Sequence, residues 1–139
     1  RRILANADYP RFGALMKNRG YDWEAVKVTT EDDYILNTFH ILGKTGQPRP
    51  ESLKASVLVQ HGASVDAHSF IEYTGDKKSF VLGLADEGFD MWIGNNRGTA
   101  TSQGHKTLNA ATDNAYWDFS WAEMGLYDDV ANIQQGANM

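Results

Sequence analysis

The run Val57-Leu58-Val59-Gln60, halting at His61-Gly62-Ala63, constrains the fold more than any other stretch of these 139 residues. Short, apolar and rich in β-branched side chains, it reads as a buried strand over residues 55–60. The abrupt His-Gly ending reads as a tight turn. Strand ends of α/β sheets are places where backbone N–H groups can be aimed at a substrate. A His-Gly pair there is one way to build half of an oxyanion hole. A G-x-S-x-G nucleophile elbow occurs nowhere in the sequence.

The length fits one domain spanning residues 1–139, and 42% hydrophobic with 12% aromatic residues is enough to fill a core. A net charge of −5, without a Lys/Arg stripe, argues against a nucleic-acid partner. The absence of cysteine excludes a disulfide framework and a thiolate zinc site. No apolar run is long enough to span a bilayer, so a transmembrane chain is not expected. Arg1 to Ala7 is too short for a signal peptide, so any targeting segment is expected to be missing or removed. N-x-S/T acceptors are also absent.

Along the chain, Asp8 is expected to cap a short helix with Phe12, Leu15 and Met16 inward and Gly20 as its stop. Residues 24–42 read as an antiparallel hairpin turning at Glu31-Asp32-Asp33, with Asp33 left-handed. Gly43 to Ser52, holding Pro48 and Pro50, reads as a surface loop. Lys78 to Glu87 is predicted helical, with Phe80, Val81, Leu84 and Ala85 inward and Gly88 ending it. Phe89 to Ile93 is the next strand, and this strand–helix–strand spacing predicts a right-handed parallel crossover. Gly94 to Asn114 is polar and long enough to be suspected of function. Ser120-Trp121-Ala122-Glu123 is a capping box opening a helix to about Gln134, with Met124, Tyr127, Val130 and Ala131 inward.

These blocks resemble the acid lipase family, the gastric and lysosomal type within the α/β-hydrolase superfamily. Gly20-Tyr21 with Val28-Thr29-Thr30-Glu31-Asp32-Asp33-Tyr34-Ile35-Leu36 is similar to that family's opening hairpin. Gln60-His61-Gly62 resembles its oxyanion strand, and Leu84 to Gly98 its crossover helix, next strand and following loop. His105-Lys106-Thr107-Leu108, then Trp117 to Met124 with Tyr127-Asp128, complete the likeness from about Tyr9 to Ala131. Ala63 stands where the family has a bulky apolar residue, Asp33 where it has glycine, and Thr101 where it has tryptophan.

The resemblance implies the N-terminal half of an α/β-hydrolase fold: antiparallel hairpin, parallel βαβ crossover, then helix, with the sheet incomplete. It implies a lipid ester hydrolase portion that carries the oxyanion turn, while the family's serine, acid and base lie beyond Met139. Ala63 would give its amide to a developing oxyanion, supported by Gln60, His61 and Gly62. Asn95, Asn96 and Arg97 would order the neighbouring loop, with Arg97 bonding to carbonyls. The alternative is a non-catalytic, lipase-like subunit of a larger assembly. A protein partner is expected to complete or cover the strand edge at 55–60, with a lipid ester as substrate only once completed. The resemblance points to a lysosomal or secreted setting, which this chain's residues leave open. No cofactor is implied. No metal is expected, because His68 and His105 lack Asp or Glu at ligand spacing. His40 is expected half-exposed in mid-strand, His61 to order its loop rather than transfer protons, and Trp92, Trp117 and Trp121 to pack in the interior.

Overall fold

The computed structural model describes residues 8–72 and 79–137. Helix α1 (Pro10–Arg19) starts with proline in its first turn, where a missing N–H costs nothing. Tyr9, not Asp8, occupies its N-cap, and its side chain makes no capping bond. Gly20 closes it at φ 78°, the left-handed position that favours glycine. Strands β1 (Tyr21–Thr29) and β2 (Tyr34–Lys44) then form the antiparallel hairpin, beginning three residues earlier than the alternation alone indicates. Asp33 turns it at φ 73°, as the short polar side chain allows.

Strand β3 (Ser56–Val59) pairs in parallel with β4 (Asp90–Ile93), and β4 pairs antiparallel with β2. The order β1-β2-β4-β3 leaves β3 at one edge, with the short β5 (Gly104–His105) beside the start of β2. The sheet is therefore mixed and unclosed, with helices against it. Being an edge strand with a ladder partner on one side only, β3 is half-buried rather than the buried strand its composition predicts.

The two-residue pleat divides the sheet into two faces. On one, Trp23, Ala25, Phe39, Ile41, Met91 and Ile93 pack against Phe12 and Met16 of α1. Ile71 of α2 (Ser69–Glu72), together with Val81 and Leu82 of α3 (Phe80–Asp86), closes this core. Ser79 caps α3 by accepting from Val81 and Leu82. The predicted start at Lys78 lies outside the described residues. Phe80, expected inward, is exposed: at the first position of a seven-residue helix it projects past the core toward Phe70.

The other face holds Val28, Tyr34 and Leu36 under Tyr116, which sits in a 3-10 turn (Asn114–Trp117). Helix α4 (Trp121–Glu123) opens with the expected capping box and passes into a π-helical segment (Met124–Asp129), then α5 (Val130–Ala137). The wider π turns shift the helix phase. Asp128 and Asn132 therefore face inward, while Val130, expected inward, is 44% exposed. Trp92 is buried, but Trp117 and Trp121 are exposed instead of interior. His40 is 1% exposed, not half-exposed, because Glu24 and Asp90 share its face and hold both ring nitrogens.

Candidate active site

Parallel pairing brings the C-terminal ends of β3 and β4 side by side, the place where an open α/β sheet forms a crevice. The two chain exits are tied by the Gly94 N–H, which donates to the Val59 carbonyl at 3.0 Å. Gln60 packs against Gly94, where a Cβ would lie 2.1 Å from its Oε1, so a larger residue there would require the Gln60 side chain to move. Both polar atoms of the Gln60 amide are buried and without hydrogen-bond partners among the described residues.

His61 forms the link between the two loops. Its Nε2 accepts the Asn96 backbone N–H at 3.0 Å. That places the ring proton on Nδ1, which donates to the Gly62 carbonyl at 2.9 Å. Asn95 extends the brace, accepting the Ala67 N–H at 3.1 Å and donating to the Asn37 carbonyl at 2.9 Å. The turn between these braces is exposed at Gly62 and Ala63, and the Ala63 N–H has no partner among the described residues. Ser64 follows at φ 61°, a left-handed conformation that costs a non-glycine residue on the order of 1–2 kcal/mol. Replacing Ser64→Gly is expected to raise the urea midpoint by the equivalent of about 0.5 kcal/mol, less than the strain because glycine also frees the unfolded chain. A lower midpoint would mean that the serine side chain holds the turn.

Arg97 is buried completely, and its partners are carboxylates rather than the carbonyls expected. Its guanidinium meets Asp32 through two bonds of 2.6 and 2.8 Å and Asp128 through Nε at 2.8 Å. Its backbone N–H also donates to Asp128 at 2.8 Å, and the guanidinium lies 3.9 Å from the centre of the Tyr34 ring. Burial raises the Asp32 carboxyl, but the bonds from Arg97 and Thr30 outweigh it and hold the group below its ordinary value. For Asp128 burial prevails, and the bonds from Arg97 offset only part of that rise.

A cleft of about 780 Å³ opens over the turn. Gln60, His61, Gly62, Ala63, Asn96 and Arg97 all line it, so these residues of the sequence reading converge on one cavity. Asn95 stands behind it, fully buried. One wall is apolar, made by Trp117, Phe119, Trp121 and Met124, and Asp129 lies on the same π segment as Met124. Neither the wall nor Asp129 emerges from the sequence reading, which assigns the tryptophans to the interior. Among the described residues no group of His, Asp and Glu side chains could hold a metal ion. No described helix is long and apolar enough to cross a membrane.

The family described as a partial α/β-hydrolase lipase region matches residues 12–73. Lipase member K of Mus musculus is 40% identical over 119 residues, which is 86% of this chain and 29% of that protein. Lipase 1 of Drosophila melanogaster is 41% identical over 119 residues, 86% of this chain and 25% of its own length. Triacylglycerol lipase 2 of Arabidopsis thaliana is 42% identical over 111 residues, covering 78% and 26%. A solved Pyrococcus furiosus esterase aligns with 80% of this chain and 37% of its own, at 17% identity and a TM-score of 0.42. The chain is similar to lipases of the α/β-hydrolase kind. More narrowly, it is similar to the N-terminal part of acid-lipase-like lipases over most of its length, while spanning 25–29% of the three curated lipases named.

Proposed function

We propose that this chain is the oxyanion-bearing part of a serine ester hydrolase acting on lipid esters, its Ser, Asp and His being supplied by residues outside it. The observation that carries the reading is the free Ala63 N–H, on a turn braced by His61 and Asn96 at the mouth of the cleft. An amide needs no particular side chain to bind developing negative charge, so alanine serves as well as a bulkier residue. The apolar wall offers Trp117, Phe119, Trp121 and Met124 to an acyl chain. The serine oxygen would attack the ester carbonyl, and the resulting oxyanion would sit on the Ala63 amide and a second amide beside the serine. The outer edge of β3 is where the completing strand would pair.

The test is a chimera that joins this chain to the remaining length of mouse lipase member K. It is expected to hydrolyse a p-nitrophenyl acyl ester, and Ala63→Pro, which deletes the N–H, is expected to lower kcat about 100-fold or more with KM little changed. A fluorophosphonate is expected to label the chimera and not residues 1–139 alone. A folded but inert chimera would favour the non-catalytic subunit reading, and a labelled serine within this chain would overturn the assignment of the triad.

A further inference from the structure

The wall of the cleft is aromatic more than aliphatic, and carboxylates surround it. Trp117 and Trp121 line the cavity while 46% and 70% exposed, a large indole surface for a folded chain to leave open. Trp117 and Phe119 lie 6.1 Å apart between ring centres and both close on Gly98, where a Cβ would stand 2.8 and 3.1 Å from them. The backbone at Gly98 therefore holds two rings of the wall in place. Asp66, Glu72 and Asp129 line the same cleft, and Arg11 and Arg97 are the only arginine or lysine side chains there among the described residues. Both guanidiniums are engaged, Arg11 by the two carboxylate oxygens of Glu72 at 2.8 and 3.0 Å, and Arg97 by Asp32 and Asp128. Asp66 accepts from the His68 ring at 2.7 Å, and no lysine or arginine pairs with Asp129 among the described residues. The potential in the cleft is negative, like the net charge of −5 on the whole chain.

We propose that the cleft takes a quaternary ammonium group against Trp117, Phe119 and Trp121, so that the substrate is an ester carrying a trimethylammonium head. A cation is drawn to the faces of aromatic rings, indole best of all, and to the surrounding carboxylates. A neutral hydrocarbon of the same shape gains nothing from either. An ammonium with N–H groups needs hydrogen-bond acceptors, which the rings of the wall do not supply, whereas a trimethylammonium needs none. Its methyl groups bury against the rings while its charge is spread over the same surface. The inference rests on reading the cleft as that of an ester hydrolase and names the head group; the acyl chain keeps the Met124 side of the wall.

The experiment titrates the whole chain with choline and with 3,3-dimethylbutan-1-ol, an alcohol of the same shape with carbon in place of the charged nitrogen. Nuclear magnetic resonance of the tryptophan indole N–H signals follows both, because it reads weak binding directly. Choline is expected to bind about tenfold more tightly than the alcohol and to lose most of that advantage at high salt. Trp121→Leu changes a side chain too exposed to carry the fold. It is expected to weaken choline about fivefold or more and the alcohol by less than about twofold. Equal affinities for the two ligands would overturn the inference and leave the wall a plain hydrocarbon surface, with the ester hydrolase reading intact. Choline that fails to bind, or binds Trp121→Leu as tightly as the parent, would overturn it as well. The chimera with lipase member K separates the two claims: hydrolysis of the p-nitrophenyl ester without choline binding removes the head group alone.

Discussion

Arg97→Met is expected to lower the stability of the chain by about 3–5 kcal/mol, a large share of the total for a domain of this size. The side chain is fully buried, as is that of Asp128, so deleting the cation strands a carboxylate where water cannot reach it. Asp32, 28% exposed, is re-solvated more readily and adds less. Methionine refills most of the stem's volume, so the loss reports the charge and its bonds rather than a cavity. The double variant Arg97→Met/Asp128→Leu is expected to regain most of the loss, since it removes the stranded charge as well. Arg97→Lys is expected to fall between, because an ammonium cannot reproduce the fork that spans Asp32 and Asp128. Urea unfolding followed by circular dichroism measures all three, and a single variant within about 1 kcal/mol of the parent would refute the account. For Asp32 the sign of the pH dependence is fixed. Asp32 titrates below its ordinary value, so its contribution is complete above that value and fades as pH falls through the folded one. Arg97→Met should flatten that part of the acid limb.

What the residues reveal on their own is mostly local. The hairpin is legible because its alternation and the polar turn at Asp33 lie within one short window. The capping box is legible because Ser120 and Glu123 are three positions apart and bond reciprocally. The parallel pairing of β3 with β4 follows from strand–helix–strand order. The pairing of β2 with β4 does not, because no local signal says which hairpin strand meets a later one. That unread pairing buries His40, whose carboxylate partners lie 16 and 50 positions away. The terminal helix shows a second limit. Its apolar spacing assumes regular α geometry, and the π segment rotates Asp128 inward to meet Arg97, 31 positions distant. Trp117 and Trp121 look like core residues by type, yet they stand at a cavity that exists only once Gln60 to Val65 and the 3-10 turn meet. The His61-Gly62 turn is legible as a motif, whereas its brace from Asn96 to His61 requires the fold.

The same logic gives the second large effect, on the opposite side of the fold from the α1 core. The pleat aligns Glu24, His40 and Asp90 on one face, with Glu24 opposite His40 and His40 opposite Trp92 in the ladder. The imidazole meets Glu24 Oε1 at 2.9 Å and Asp90 Oδ1 at 2.6 Å, and stacks on the Trp92 ring at 3.8 Å. Arg49 donates to Asp90 at 2.6 Å, and Ser56 and the Trp92 indole each donate to its other oxygen at 3.0 Å. One histidine thereby ties β1, β2 and β4, while Asp90 carries the tie on to β3. His40→Leu is expected to cost about 3 kcal/mol, because Glu24, 5% exposed, loses its imidazole partner across the ladder. Leucine keeps apolar contact with Trp92, so the loss comes from the polar bonds. His40→Leu/Glu24→Leu is expected to recover about half or more, and the non-additivity measures the pair directly. The acid limb should move as well. Burial raises the Asp90 carboxyl, but bonds from His40, Trp92 and Ser56 outweigh it and hold the group low. Its stabilisation is therefore present above the ordinary carboxylate value and lost as pH falls through the folded one. Removing His40 lifts the folded value, so acid unfolding of the variant should begin at higher pH than in the parent. If the urea midpoint and the acid limb of His40→Leu both coincide with those of the parent, the histidine does not hold the strands together.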